Sequence, residues 1–112
     1  MKTEENNHMQ EKINEIQLIE QNLHSLINQR QTFQAQTMEV ESSLSEISKT
    51  KNAYRIIGNI MIAADAEALK IELSSKKEML DIRVKSVQKQ EEKLKQKITD
   101  IQKEVMDAMK KK

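Results

Sequence analysis

The chain has 112 residues, of which 33% are charged and 2% aromatic, and its formal net charge is +1. This length allows one domain at most, and so few aromatic side chains cannot fill the core of a compact globule. The absence of cysteine excludes disulfides, zinc–thiolate sites and thiol chemistry. Charges of both signs are interspersed, which argues against a basic nucleic-acid groove. Charged, proline-free sequence of this kind is typical of long helices and coiled coils.

The sequence offers no constellation that carries catalysis or binds a cofactor. There is no glycine-rich phosphate loop and no nucleophile with an adjacent base. His8 and His24 stand apart from any metal-ligand cluster, and the adjacent acids Glu91 and Glu92 point in different directions on a helix. The N-terminal segment MKTEENNHMQ is too polar for a signal peptide, and no apolar run approaches a membrane span. We expect a cytoplasmic protein that is not an enzyme, needs no cofactor or metal, and binds neither nucleic acid nor membrane.

Apolar side chains recur at heptad spacing through both halves of the chain. In the first half the a and d positions are Met9, Lys12, Ile16, Ile19, Leu23, Leu26, Arg30, Phe33, Thr37, Val40, Leu44 and Ile47. In the second half they are Ala66, Lys70, Leu73, Lys77, Leu80, Val84, Val87, Glu91, Leu94, Ile98, Ile101, Val105 and Ala108. The positions between them are largely polar, so each half predicts a helix with a coiled-coil seam. We expect these helices over about residues 8–50 and 65–110.

The simplest partner for each helix is the other one, in antiparallel orientation. The a residues of one helix then face d residues of the other, and the numbers of facing residues sum to 110, 117 or 124. A sum of 117 places Ile16 opposite Ile101 and the fold-back point between Gly58 and Asn59. The heptads and the only glycine of the chain therefore agree on one register.

A charged pair lies inside this predicted seam. In the register with a sum of 117, Arg30 and Glu91 occupy neighbouring layers. A salt bridge between them would fix the register. The alternative is that both charges extend separately into solvent.

The glycine lies in the segment IIGNIMI, residues 56–62. Gly-Asn between two apolar runs predicts a β-hairpin over residues 52–64, with Gly58 at the first position of a type II′ turn. The predicted strands are Asn52–Ile57 and Ile60–Ala64, and Asp65 is the expected N-cap of the second helix. The sequence thus predicts a mainly α fold: a single domain over residues 1–112, with a long antiparallel coiled-coil helical hairpin and one short β-hairpin at the fold-back.

The predicted β-hairpin is apolar on both faces. A two-stranded sheet is marginal in water and leaves both edges open, and two helices of the same chain cannot cover all of this surface. We therefore expect an assembly element that joins hairpins of other subunits. Its residues are Tyr54, Ile56, Ile57, Gly58, Ile60, Met61 and Ile62. The alternative is a hairpin that only caps its own coiled coil.

Both termini are expected at the far end of the paired helices, which we call the tip. Apolar side chains collect there, both in methionines and at positions beside the seam: Met1, Met9, Ile13, Leu18, Met106 and Met109. Methionine is flexible and suits surfaces that accept varied apolar partners. The alternative is that frayed ends carry incidental apolar residues.

Two segments resemble the beta-class subunit of archaeal-type prefoldin. AYRIIGNIMI matches the family's hairpin, with a tyrosine, paired apolar residues and the glycine, and LDIRVKSVQKQEEKLKQKI, residues 80–98, resembles its second helix. NQRQTFQAQ in the first helix is similar in character. Ala63 and Ala64 depart from the polar or basic residues that the family more often has after the second strand.

This resemblance implies a heterohexamer of two alpha-class and four beta-class subunits, joined through a double β-barrel body from which six coiled-coil tentacles extend. It implies that the tips hold unfolded polypeptides and deliver them to a group II chaperonin without ATP. Tyr54–Ile57 and Ile60–Ile62 become barrel strands. The client-holding tip region then includes Met9, Ile13, Val105, Met106 and Met109, and with off-seam Leu18 these are the residues we expect to bind clients.

The sequence is also compatible with two alternatives. The chain could be a structural or adaptor coiled coil that oligomerises without binding clients. The run Lys110–Lys112 could touch an acidic surface of a chaperonin, or it could simply complement the negative end of the helix.

Overall fold

A computed structural model describes residues 2–110 of the chain. In chain order it contains α1 (Lys2–Lys49), β1 (Ala53–Ile57), β2 (Ile60–Ala64) and α2 (Ala66–Lys110). The expected fold class, two long helices with a short antiparallel β-hairpin, is confirmed. Within residues 2–110, neither helix has a stretch apolar and long enough to cross a membrane.

The chain divides into two compact units, each built from parts of both helices. The terminal unit holds the residues up to Arg30 and those from Ser86 onward, and the hairpin unit holds Gln31–Lys85. The expectation of a single domain over residues 1–112 stays a prediction.

The observed helix ends differ slightly from the expected ones. α1 already begins at Lys2 instead of near residue 8, because the first residues include neither glycine nor proline to end a helix. β1 begins at Ala53, one residue later than expected. Of the C-terminal lysines, Lys110 closes α2, and Lys111 and Lys112 lie outside the described residues.

Burial follows the predicted heptads in both units. The most buried apolar side chains of the helices are Ile19, Val40, Leu80, Val87 and Ile101, each at an a or d position. Among the a and d positions, Ala108 alone is exposed, and the others are buried or half-buried. Each helix therefore buries one stripe, and the hydrophobic effect along that stripe is the main stabilising force of the coiled coil.

Ion pairs link the two helices of the terminal unit. Lys12 Nζ lies 3.0 Å from Glu104 Oε2, and Arg30 Nε lies 2.8 Å from Glu91 Oε2. The salt bridge expected between Arg30 and Glu91 is therefore formed. In the register in which facing residue numbers sum to 117, Lys12 faces Val105, which is next to Glu104. Arg30 and Glu91 lie in neighbouring layers of facing residues. Both ion pairs are therefore consistent with that register.

The hairpin unit shows the same pairing of helices. Lys77 Nζ lies 3.4 Å from Glu41 Oε1, next to the predicted layer of Val40 and Lys77. The Arg83 guanidinium stands 5.7 Å from the centre of the Phe33 ring, a cation–π geometry. Both contacts agree with the register inferred from the heptads.

The β-hairpin forms in the predicted register. Ile57 pairs with Ile60, and the ladder continues to Ala53 and Ala64. Gly58 has a φ of 61°, and no non-glycine residue described has a positive φ. Positive φ at only the first central residue is what a type II′ turn requires.

Asp65 ends the hairpin and begins α2. The Glu67 backbone N–H donates to Asp65 Oδ1 at 3.3 Å, and the Leu69 N–H donates to the Asp65 carbonyl at 3.0 Å. These bonds satisfy amide groups that the first helical turn would otherwise leave open. The expected N-cap is confirmed.

The turn geometry leads to a first prediction. A Cβ at residue 58 would have nothing within 4 Å, so Gly58→Ala is opposed only by the positive φ. We expect Gly58→Ala to lower the free energy of unfolding by about 1–3 kcal/mol, the cost of holding a residue with a Cβ in a sparsely populated backbone region. Asn59→Ala, at the neighbouring position without a positive φ, is the matched control and should change it little. Denaturant unfolding followed by circular dichroism measures both variants, and equal effects would contradict the turn assignment.

Candidate functional site

The β-hairpin presents large apolar side chains to solvent on both faces. Exposure ranges from 46% for Ile62 to 70% for Ile56. The strand register places Ile57, Ile60 and Ile62 on one face, and Tyr54, Ile56 and Met61 on the other. With Gly58 in the turn, the seven residues expected to mediate assembly lie together in one element.

The hairpin edges are open as well. The sheet has two strands, so each strand uses one edge for pairing and leaves the backbone groups of the other edge without a strand partner. At the base of the sheet Ala53 is buried, and Arg55 forms an ion pair with Glu72 of α2. The sheet is therefore fixed to its own helices at the base and open everywhere else.

A groove continues this surface beside β1. It has a volume of about 530 Å³, and Tyr54 and Arg55 line it from the strand. From the helices it is lined by apolar Ile47, Leu69 and Leu73 and by polar or charged residues, namely Ser42, Ser43, Glu46, Glu72 and Lys76. The groove therefore adds mixed polar and apolar surface beside the strand that carries Tyr54.

The residues expected at the tip fall into two groups in the terminal unit. Met9 and Val105 are half-buried a positions and line a small cavity of about 60 Å³ with Lys12 and Glu104. The others are exposed side chains beside the seam: Ile13 (40%), Leu18 (59%), Met106 (60%) and Met109 (60%). The exposed group is available to a partner, and the half-buried group supports the coiled coil.

The exposed tip residues occupy two sides of the helix pair. Ile13 and Met109 are e positions and Met106 is a b position, so these three share one side, whereas Leu18 is a c position on the other. The polar residues at neighbouring e and b positions are uncharged, namely Gln10, Gln17, Thr99 and Gln102, and Lys103 and Lys110 flank Met106 at f positions. The side of Leu18 carries acids, namely Glu11, Glu15, Asp100, Glu104 and Asp107. The tip thus has one apolar side whose nearest charges are lysines, and one side that carries several acids.

Lys12 forms an ion pair at the tip that changes its pKa. The hydrogen bond to Glu104, and then the attraction of its charge, raises the pKa of Lys12 above its usual value. Since the folded pKa is raised, the contribution of this pair to stability is present at neutral pH. The stabilisation that this raised pKa represents is lost as the pH rises through the pKa of Lys12.

Sequence reasoning did not identify four further exposed apolar residues: Met38, Ile71, Met79 and Ile82. Their b, c and f heptad positions face away from the partner helix, and that position is the signal that would have found them. Among the residues the structure describes, no group of three or more His, Cys, Asp or Glu side chains is placed to hold a metal ion.

Comparisons with known proteins agree with this architecture. The family model described as "Prefoldin subunit" matches residues 10–112. A Prefoldin subunit beta from Archaeoglobus fulgidus is 31% identical over 104 residues, which are 90% of this chain and 90% of the relative. The Prefoldin subunit beta from Sulfurisphaera tokodaii is 29% identical over 104 residues, covering 90% of this chain and 83% of the relative.

A solved structure shares the fold. The crystal structure of the prefoldin beta subunit from Thermococcus strain KS-1 matches with a TM-score of 0.85 at 23% sequence identity. The match covers 90% of this chain and 91% of that chain. Helix, hairpin and helix are therefore retained at low sequence identity.

Proposed function

Because the chain belongs to the prefoldin family of non-enzymatic chaperone subunits, we propose that it is a holdase subunit acting in the cytoplasm. It captures unfolded polypeptides at the coiled-coil tips and transfers them to a group II chaperonin without ATP. Its assembly partners are alpha-class prefoldin subunits and further copies of the beta class, in a heterohexamer. The exposed apolar β-hairpin is the observation that carries this proposal.

The hairpin supports assembly through its apolar surface. Fully burying one large apolar side chain contributes about 1.5–3 kcal/mol. Six such side chains are 46–70% exposed on the hairpin, and their burial against other subunits would favour association strongly. Strand edges from neighbouring subunits would also pair the open backbone groups. A shared barrel satisfies both requirements, because a closed sheet has no edges.

The tip supports holding through weak contacts made several times. Ile13, Met106 and Met109 offer exposed, partly flexible apolar area, which suits the scattered apolar side chains of an unfolded chain. Each contact contributes little alone. Several tips on one assembly raise the effective concentration of binding sites, so the assembly binds a client more strongly than one tip does. This holding needs no energy source.

The other function that fits this architecture is a structural or adaptor coiled coil that assembles without binding clients. The two differ in one property. A holdase suppresses the aggregation of an unrelated unfolded protein at low molar ratio, and an adaptor does not.

The assembly role gives the second prediction. Ile57→Lys or Ile60→Lys should leave the isolated chain helical, because these side chains are 58% and 65% exposed there. In a shared apolar sheet the new charge would be buried without a partner, and we expect association to weaken by about 100-fold or more. Sedimentation measures the assembly, and circular dichroism measures the helix content.

Met38→Lys is the matched control for these variants. Met38 is 70% exposed but lies on α1 and not on the hairpin, so this charge should leave assembly unchanged. Full-size oligomers formed by Ile57→Lys would show that the hairpin is not the assembly element.

The holding role gives the third prediction. Replacing Ile13, Met106 and Met109 together by Ser should remove client holding and leave assembly intact. These side chains lie beside the seam, so the coiled coil loses little stability. Contacts of about 1 kcal/mol each would disappear from every beta-class tip, and avidity multiplies the loss. The measurement is aggregation suppression by hexamers whose size has been verified.

The matched control replaces Ile71, Met79 and Ile82 by Ser. These residues are exposed to a similar degree, between 56% and 69%, but lie in the hairpin unit. Holding should then equal that of the parent. Intact tip-variant hexamers that protect clients as well as the parent would refute the tip model.

A further inference from the structure

A charged layer interrupts the apolar seam of the terminal unit. Glu91 is 3% exposed, and its Oε2 accepts a 2.8 Å hydrogen bond from Arg30 Nε. Its other oxygen, Oε1, is buried without a hydrogen-bond partner among the described residues. A buried carboxylate stabilises a fold only when its remaining lone pairs are satisfied, and an apolar side chain at this position would avoid that penalty. Stability therefore does not explain the choice of Glu91.

We propose that the Arg30–Glu91 pair sets the register of α1 against α2 in the terminal unit. In the register in which the numbers of facing residues sum to 117, Glu91 lies opposite Leu26. This position is one layer from Arg30, and the observed ion pair forms there. A slip of one heptad that lowers the sum to 110 would place Glu91 opposite Ile19. At 1.5 Å per residue, that layer is about 16 Å along α1 from Arg30. The buried carboxylate would then have no cation within reach.

The pair acts against slip in one direction only. A slip of one heptad the other way would move Glu91 one layer beyond Arg30, where the two side chains still meet. The direction that the pair opposes is the one that moves α2 about 10 Å along α1 and separates Met106 from Ile13. The importance of this separation for client holding rests on the proposed function. The assignment of the register does not depend on that function.

Arg30 is well placed for this role. Its side chain is 26% exposed, against 4% for that of Glu91, so the guanidinium reaches solvent while it pairs with the buried acid. The carboxylate of Glu91 therefore constrains the register, because it has to stay beside the guanidinium of Arg30. A partly exposed arginine tolerates displacement by snorkelling, and a buried carboxylate does not.

Disulfide trapping tests the inference directly, because the chain contains no cysteine of its own. Cysteines at positions 16 and 101 would cross-link in the present register. Cysteines at positions 16 and 94 would cross-link after the slip that lowers the sum to 110, which the ion pair disfavours. In the parent sequence the first pair should cross-link within one chain and the second poorly. In the variant Arg30→Leu/Glu91→Leu, the 16–94 yield should rise by about tenfold or more, while unfolding shows equal or greater stability.

The variant Arg30→Lys is the matched control. It keeps a cation beside the buried carboxylate and should keep the 16–94 yield at the level of the parent. A second arm, Glu91→Leu alone, removes the carboxylate and leaves a partly exposed arginine; it should slip as the double variant does. Cysteines at 16 and 108 report the reverse slip, and their yield should be the same in all variants.

Two results would overturn the inference. One is a stable, folded double-leucine variant whose 16–94 yield equals that of the parent. The other is an Arg30→Lys variant that slips as readily as the double-leucine variant. Client holding by the same proteins is a separate measurement, so loss of holding with an unchanged cross-link pattern would contradict the proposed function and not the register.

Discussion

The structure depends on one constraint: a two-stranded hairpin with apolar side chains on both faces cannot bury them within its own chain. Ile56 and Met61 remain 70% and 65% exposed on one face, and Ile57 and Ile60 remain 58% and 65% exposed on the other. Only the base of the hairpin is fixed, through buried Ala53. Two strands alone are marginal in water. Under the proposed function the remaining stabilisation comes from other subunits, which couples the stability of this hairpin to assembly.

The helices follow a different rule, since each buries one stripe against the other and needs no third partner. Apolar layers such as those of Ile19 and Val87 supply stability, and the Arg30–Glu91 layer supplies specificity at some expense of stability. A coiled coil that is complete in itself can carry side chains beside its seam for another use. Ile13 and Met106 are of this kind, and the proposed holding function needs only that they stay exposed.

The sequence predicted most of the fold because its patterns report contacts within the chain. The heptads anticipated that Ile19 and Leu80 are buried, and Gly58 anticipated the turn and the strand register. The early start of α1 was missed, because nothing in those polar residues marks a boundary. The unsatisfied oxygen of Glu91 was also missed, since burial of a single atom depends on neighbouring side chains and not on spacing. The role of the tip stays a prediction, because its partner is not encoded in this chain.

Amide hydrogen exchange in the hairpin is the most direct test of the central claim. The measurement compares the amides of Tyr54–Ile62 in the isolated chain with the same amides after mixing with an alpha-class prefoldin subunit. If the hairpin folds stably only within the assembly, exchange there should slow by about 100-fold or more on mixing, while the amides around Ile19 change little. A complex of full size whose hairpin amides exchange as fast as in the isolated chain would contradict the account.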